Sequence, residues 1–163
     1  MKTIIVFDSF FGNTREISVA IYKALSQTNQ ADIHSVNQIN TEEATSADFL
    51  IVGSPTRGFR PTPSIVRLLK SIPKNALHGK HVAAFDTRIK LSDINSKALR
   101  FMVKKGGYAA KPILAQLLKR GGIQLGKPGG FYVKGEEGPL YEGETDRAIK
   151  WAKQLFMKVS AGK

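Results

Sequence analysis

The chain of 163 residues has no cysteine. Disulfides, thiolate metal sites and cysteine nucleophiles are excluded outright. Its three histidines, His34, His78 and His81, share no spacing with acids and read as surface or strand residues, so no metal site is expected. No apolar run approaches the length of a membrane span. Met1-Lys2-Thr3 leads straight into the first apolar run and leaves no room for a signal peptide, so a cytoplasmic location without membrane insertion is expected. No G-x-G-x-x-G follows any apolar run, which leaves a nicotinamide-type site unsupported. Acids are scarce as well: 13 Asp and Glu stand against 25 Lys and Arg, a net charge of +12. That balance attracts polyanions, acidic proteins and phosphorylated ligands without choosing among them. The cations are scattered, with one concentration at Lys97, Arg100, Lys104, Lys105 and Lys111, which argues against nucleic acid as the main partner. Read alone, the Lys97–Lys105 stretch is more simply a solvated face.

What is present centres on one turn, Asp8-Ser9-Phe10-Phe11-Gly12-Asn13-Thr14-Arg15. Before it, Thr3-Ile4-Ile5-Val6-Phe7 is continuously apolar and rich in β-branched residues, the pattern of a buried parallel strand. After it, Ile17, Ala20, Ile21, Ala24 and Leu25 recur at helical spacing. The first N–H groups of a helix are unpaired, and the helix dipole adds partial positive charge there. Gly12 permits a sharp turn and a close approach to the backbone. Ser9, Asn13 and Thr14 add side-chain donors and Arg15 a full charge, so the stretch reads as a phosphate cradle. The same residues also suit an ordinary helix cap, and the turn alone does not separate the two readings.

The chain is one domain, 1–163, long enough for a real core. Ala31-Asp32-Ile33-His34-Ser35-Val36 alternates as a half-buried strand near a sheet edge, and Thr41-Glu42-Glu43-Ala44 makes at most a helical turn. Phe49-Leu50-Ile51-Val52-Gly53 is a second fully apolar strand that ends in the loop Ser54–Pro61. Thr62 caps the next helix, with Pro63 in its first turn and Ile65, Leu68, Leu69 and Ile72 as its buried stripe. The strand Lys80–Asp86 leads into the loop Thr87–Asp93. Weak helical character runs from Ser96 to Lys105, and a stronger helix from about Ala109 to Arg120. A last strand lies within Ile123–Val133, blurred by Gly126, Pro128, Gly129 and Gly130. The polar loop Lys134–Gly143 precedes a terminal helix whose apolar face is Ala148, Trp151, Ala152, Leu155, Phe156 and Val159, with Trp151 read as packing. Five alternations of strand and helix indicate an α/β three-layer sandwich. Its five-stranded parallel sheet, in order 2-1-3-4-5 with helices on both faces, brings the loops Ser9–Arg15, Ser54–Arg60 and Asp86–Asp93 to one crevice.

These loops carry a family resemblance. Ser9-Phe10-Phe11-Gly12-Asn13-Thr14 resembles the flavodoxin phosphate loop T/S-x-T-G-N-T. Gly53-Ser54-Pro55-Thr56-Arg57-Gly58-Phe59-Arg60-Pro61 resembles the second flavin loop, often G-S-P-T-Y-G. Glu137-Gly138-Pro139-Leu140-Tyr141-Glu142-Gly143-Glu144 resembles a lead-in to the last helix in some members. The resemblance implies a flavodoxin-like fold and noncovalent FMN. Ser9, Gly12, Asn13 and Thr14 would hold the FMN phosphate, helped by the backbone N–H groups of Phe10 and Phe11. Ser54, Pro55, Thr56, Arg57, Gly58 and Phe59 would flank the isoalloxazine, and Asp86, Thr87 and Arg88 would close the other side. By the same resemblance, Gly58 is the candidate for a peptide that turns over on flavin reduction.

Two departures stand out. Phe11 replaces a hydroxyl, with Arg15 as the candidate to compensate. The loop after Phe85 lacks a stacking aromatic, which leaves Phe59 as the obvious stacking residue and implies modest FMN affinity.

Gly121–Lys127 has P-loop spacing, but Pro128 occupies the magnesium-binding position and a strand follows instead of a helix. A phospho-acceptor regulator would need Asp where Gly53 and Ser54 stand. The function implied is that of a flavodoxin-like electron carrier with no catalytic residue of its own, since the flavin supplies the chemistry. A chain at +12 should favour the anionic reduced flavin, with Arg57, Arg60 and Arg88 near the ring. It should also favour an acidic redox partner. An FMN-dependent NAD(P)H or quinone oxidoreductase, or a flavin-free module binding a phosphate ligand or nucleic acid, are the alternatives that the sequence leaves open.

Overall fold

In the computed structural model, which describes residues 1–161, strand β1 (Lys2–Phe7) leads through the Ser9–Gly12 turn into helix α1 (Asn13–Ser26). Then come β2 (Gln30–Ser35), the short α2 (Thr41–Thr45), β3 (Phe49–Pro55) and α3 (Pro63–Ser71). Strand β4 (His81–Ile89) is followed by α4 (Lys97–Gly106) and α5 (Ala110–Lys119). Two short strands, β5 (Ile123–Gln124) and β6 (Gly129–Val133), precede α6 (Glu144–Ala161). Among the described residues, no helix is long and apolar enough to cross a membrane.

The strands form one parallel sheet in the order β2-β1-β3-β4, with β5 and β6 both paired to β4 at the far edge. This is the expected 2-1-3-4-5 order with its last strand in two pieces. Pro128 has no N–H to donate and Gly126 takes a left-handed φ of 64°, so the ladder breaks between Leu125 and Pro128.

The continuous apolar runs follow from having both faces covered. Ile4, Val6, Leu50, Val52, Val82 and Ala84 point to one side, against Ile65, Leu68 and Leu69 of α3 and Ile113, Leu114 and Leu117 of α5. Their sequence neighbours Ile5, Phe49, Ile51, Ala83 and Phe85 point to the other side. There they meet Ile17, Ile21 and Leu25 of α1 and Ala148, Ala152 and Leu155 of α6. Trp151 packs edge-on to Phe85 and Phe131, with ring centroids 6.0 Å apart in both pairs. Its indole N–H donates to the Lys127 carbonyl at 3.0 Å, in keeping with a packing role. The Thr62 cap is present, its hydroxyl accepting from the Ile65 N–H.

One boundary differs in a way that matters for the site. Thr87, Arg88 and Ile89, expected in a loop, continue β4, because β6 pairs with it from Phe85↔Gly129 to Ile89↔Val133. Ser54 and Pro55 likewise end β3, opposite Asp86 and Thr87. Strand backbone thus carries these side chains, and strands hold position better than loops do.

Candidate functional site

At the carboxyl end of the sheet, the Ser9–Gly12 turn shows how the cap and the cradle coexist. Gly12 has φ 92°, a left-handed geometry suited to glycine, and immediately precedes α1. Asp8, buried at the end of β1, accepts from the Ser9 N–H at 2.9 Å. The Ser9 hydroxyl accepts from the N–H groups of Gly12 (3.2 Å) and Arg15 (3.3 Å), so Ser9 does cap the helix. Among the described residues, the N–H groups of Phe10, Phe11, Asn13 and Thr14 have no hydrogen-bond partner. Four unpaired donors at the start of a helix of 14 residues form an anion cradle.

The cradle opens on a cavity of about 320 Å³, within the size range of small-ligand sites. Eleven of the fifteen residues expected in the site line it: Ser9, Phe10, Phe11, Asn13 and Thr14, then Pro55, Thr56, Arg57 and Gly58, then Thr87 and Arg88. The strand ends bring all three expected loops together.

The other four residues serve these walls from behind. Gly12 shapes the turn. Ser54 is fully buried and its hydroxyl is spent within its own loop, accepting from Thr62 N–H at 3.0 Å and donating to the Pro55 carbonyl at 2.9 Å. Asp86 is also fully buried and faces Arg88 and the start of α5. Phe59, expected to stack in the cavity, does not line it. Arg57 and Arg60 exchange backbone hydrogen bonds of 2.9 and 3.0 Å around Gly58 and Phe59, both at positive φ (53° and 68°), as in a type I′ turn. That turn carries the Phe59 ring beneath Gly106 of α4, where an added Cβ would lie 3.0 Å from the ring. A phenylalanine at positive φ is uncommon enough to hide this geometry in the sequence. Arg15 is exposed and lies outside the cavity lining.

Ile89, Val133, Gly135 and Glu136 line the cavity without having been expected there. The resemblance of Glu137–Glu144 to a helix lead-in was the available signal. The structure folds this loop over the cradle: the Asn13 side-chain amide donates to the Glu137 carbonyl at 3.0 Å. Gly138, at φ 98°, sits so close that a Cβ there would strike the Asn13 side chain.

Charge in the site is distributed unevenly. Arg88 forms a two-pronged ion pair with Asp86 (2.6 and 2.8 Å), lies 3.9 Å from the Tyr108 ring centroid, and uses space left open at Gly130. The Asp86 carboxylate also accepts from Ala110 N–H at 2.8 Å. Burial pushes the Asp86 carboxyl above the usual carboxylate range, against the opposing pull of Arg88. The two bonds to Asp86 and the Tyr108 ring hold Arg88 as a fixed wall. Arg57 is the freer cation: its guanidinium lies over the Phe10 and Phe11 rings at 5.2 and 5.8 Å and meets the exposed Glu136 at 3.2 Å. The hydroxyls of Thr14 and Thr87, 2.8 Å apart and buried, tie the cradle to β4.

No family model matches the chain, and no curated protein matches it. Solved structures do. A flavodoxin from the domain Archaea superposes with a TM-score of 0.74 at 20% identity, covering 98% of this chain and 99% of its own. Oxidised flavodoxin 1 from Bacillus cereus gives 0.73 at 17% identity, with 96% and 98% covered. In rubredoxin oxygen:oxidoreductase from Desulfovibrio gigas the match takes in 98% of this chain but 36% of that one, with a TM-score of 0.74 at 17% identity. At these identities the likeness is one of architecture, and it extends over nearly the whole chain: this is a flavodoxin-like fold.

Proposed function

We propose that the crevice binds FMN and that the protein works as an electron carrier with an acidic redox partner. The observation that carries this reading is the set of four unpaired N–H groups on residues that line one cavity together with Pro55–Gly58 and Thr87–Ile89. The donor set suits a phosphate monoester, since the cradle supplies N–H donors and no carboxylate side chain from residues 9–14. Bound FMN would supply one- and two-electron chemistry. The chain's own residues hold the phosphate at Ser9–Thr14, wall the ring site with Pro55, Thr56 and Arg88, and set the local charge through Arg57. The test is a visible absorption spectrum with FMN added, where binding shifts and quenches the flavin bands. A colourless protein in excess FMN would overturn the reading in favour of a flavin-free module. Steady turnover of NAD(P)H or a quinone would make it an oxidoreductase instead.

Phe11 is exposed, its ring lies under the Arg57 guanidinium, and it brings no side-chain donor to the cradle. Phe11→Thr adds a hydroxyl able to donate to the phosphate, and is expected to tighten FMN binding by about ten-fold. Riboflavin, without the phosphate, should bind both proteins equally. An equal gain for riboflavin would place the effect at the ring.

Arg88 is locked in a buried two-pronged pair with Asp86, whereas Arg57 meets only the exposed Glu136, so the electrostatic effect on a reduced, anionic flavin rests mainly on Arg57. Removing a cation disfavours the anion, so Arg57→Ala is expected to make the potential more negative by some tens of millivolts. Arg88→Lys should change it less. Redox titration of the FMN-loaded proteins decides, and an unchanged potential in Arg57→Ala would refute the role.

A further inference from the structure

The net charge of +12 is uneven along the sequence, chiefly because the acids are. Residues 49–135 contain seventeen Lys and Arg but only two acids, Asp86 and Asp93, a net of +15. The remaining residues contain eight Lys and Arg and eleven acids, a net of −3. Within the basic half, α4 differs from the other helices. Its only buried side chain is Val103, whereas Phe101 and Met102 are 65% and 53% exposed. Lys97, Lys104 and Lys105 stand four residues before and three and four residues after Phe101, so they surround it on the helix surface. The helix has no acid. Beside it, Leu91, Ser92, Lys97, Arg100, Phe101 and Lys104 line an open groove of about 410 Å³.

We propose that α4 is a docking helix for an anionic phospholipid surface. Phe101 and Met102 enter the boundary between headgroups and acyl chains, and Lys97, Arg100, Lys104 and Lys105 pair with lipid phosphates. An apolar anchor on its own binds a bilayer marginally, and a polybasic patch is the second signal that makes the attachment stable; α4 combines the two within ten residues. Lysines beside an inserted ring keep their stems in the apolar layer and their ammonium groups in the headgroups. Charge alone would suit a nucleic acid equally well. The thioether of Met102 exposed beside Phe101 favours lipid, since it offers neither a stacking face nor a base-reading donor. This inference does not rest on the flavin reading, because α4 and its groove share no residue with the cavity lining.

The test is co-sedimentation of the full chain with phosphatidylcholine vesicles, with and without phosphatidylglycerol. The wild type is expected to sediment with the anionic vesicles only and to be released by added salt. Phe101→Ser is expected to weaken binding by roughly ten-fold, and Lys104→Glu with Lys105→Glu by at least roughly ten-fold. Lys150→Glu with Lys153→Glu, at exposed positions on α6, should leave binding unchanged. All these sites are exposed, so melting temperatures near that of the wild type are expected to show that folding is intact. The proposal is overturned if the wild type ignores anionic vesicles, if Phe101→Ser binds as well as wild type, or if the α6 pair matters as much as the α4 pair. Binding to a single-stranded oligonucleotide in place of vesicles would overturn it in favour of nucleic acid.

Discussion

Replacing Arg88 by Met is expected to destabilise the protein by about 3–5 kcal/mol, the cost of leaving a buried charge without its partner. Asp86 is fully buried, and without the guanidinium its carboxylate keeps one donor, the Ala110 N–H. The pH dependence gives the diagnostic sign. Burial raises the Asp86 carboxyl in the folded state, so the folded protein holds this proton more tightly than the unfolded chain does. Such a group contributes stability that is complete below the unfolded carboxylate value, about pH 4, and is lost as pH rises through the folded value. Arg88 opposes that loss in the wild type. Without Arg88, the folded value rises further and stability should fall more steeply from acid to neutral pH. Urea midpoints measured across this range test the slope. Adding Asp86→Asn to Arg88→Met removes the ionisable group and should recover much of the loss at neutral pH. A variant within about 0.5 kcal/mol of wild type, the usual range for a surface substitution, would mean that the pair carries no structural weight.

The Asp86–Arg88 pair also shows what the sequence made legible and what it hid. Side chains two apart on a strand share a face, so the pairing was accessible once these residues were assigned to a strand. Asp86 closes the expected strand, but its extension to Arg88 depends on β6, more than forty residues later, and local pattern does not reveal such a partner. The strands legible at once, Thr3–Phe7 and Phe49–Gly53, are buried on both faces and so are apolar throughout. The Ser9–Gly12 turn between β1 and α1 was legible because a strand, a glycine and an amphipathic helix follow in immediate succession. Phe59 was misplaced because position in a loop does not fix direction, and the positive φ values of Gly58 and Phe59 turn the ring away from the cavity. The exposure of Phe101 was hidden for a related reason: helical periodicity identifies α4 but does not say how little of it is covered.

Gly53→Ala is expected to cost roughly 1–3 kcal/mol by overpacking, although it adds a single methyl group. Gly53 lies in β3 between Phe7 of β1 and Phe85 of β4, and a Cβ built there overlaps the Phe85 ring. That ring has no room to retreat, since Phe131 and Trp151 meet it edge-on with centroids 6.1 and 6.0 Å away. The alternative is for β3 to move, which would carry Ser54 and the Pro55–Gly58 wall with it. Ser54 anchors that wall through Thr62 N–H, so the strain should reach the ring side of the crevice while leaving the Ser9–Thr14 cradle in place. Phe85→Leu should relieve the overlap at the cost of a cavity of its own. Combined with Gly53→Ala it should therefore be less destabilising than the sum of the two, by about 0.5–3 kcal/mol. Thermal melts of the four proteins close the cycle, and strict additivity would show that the ring does not enforce glycine here. If FMN occupies the crevice, its affinity should recover together with stability in the double variant, because both losses arise from one displacement of β3.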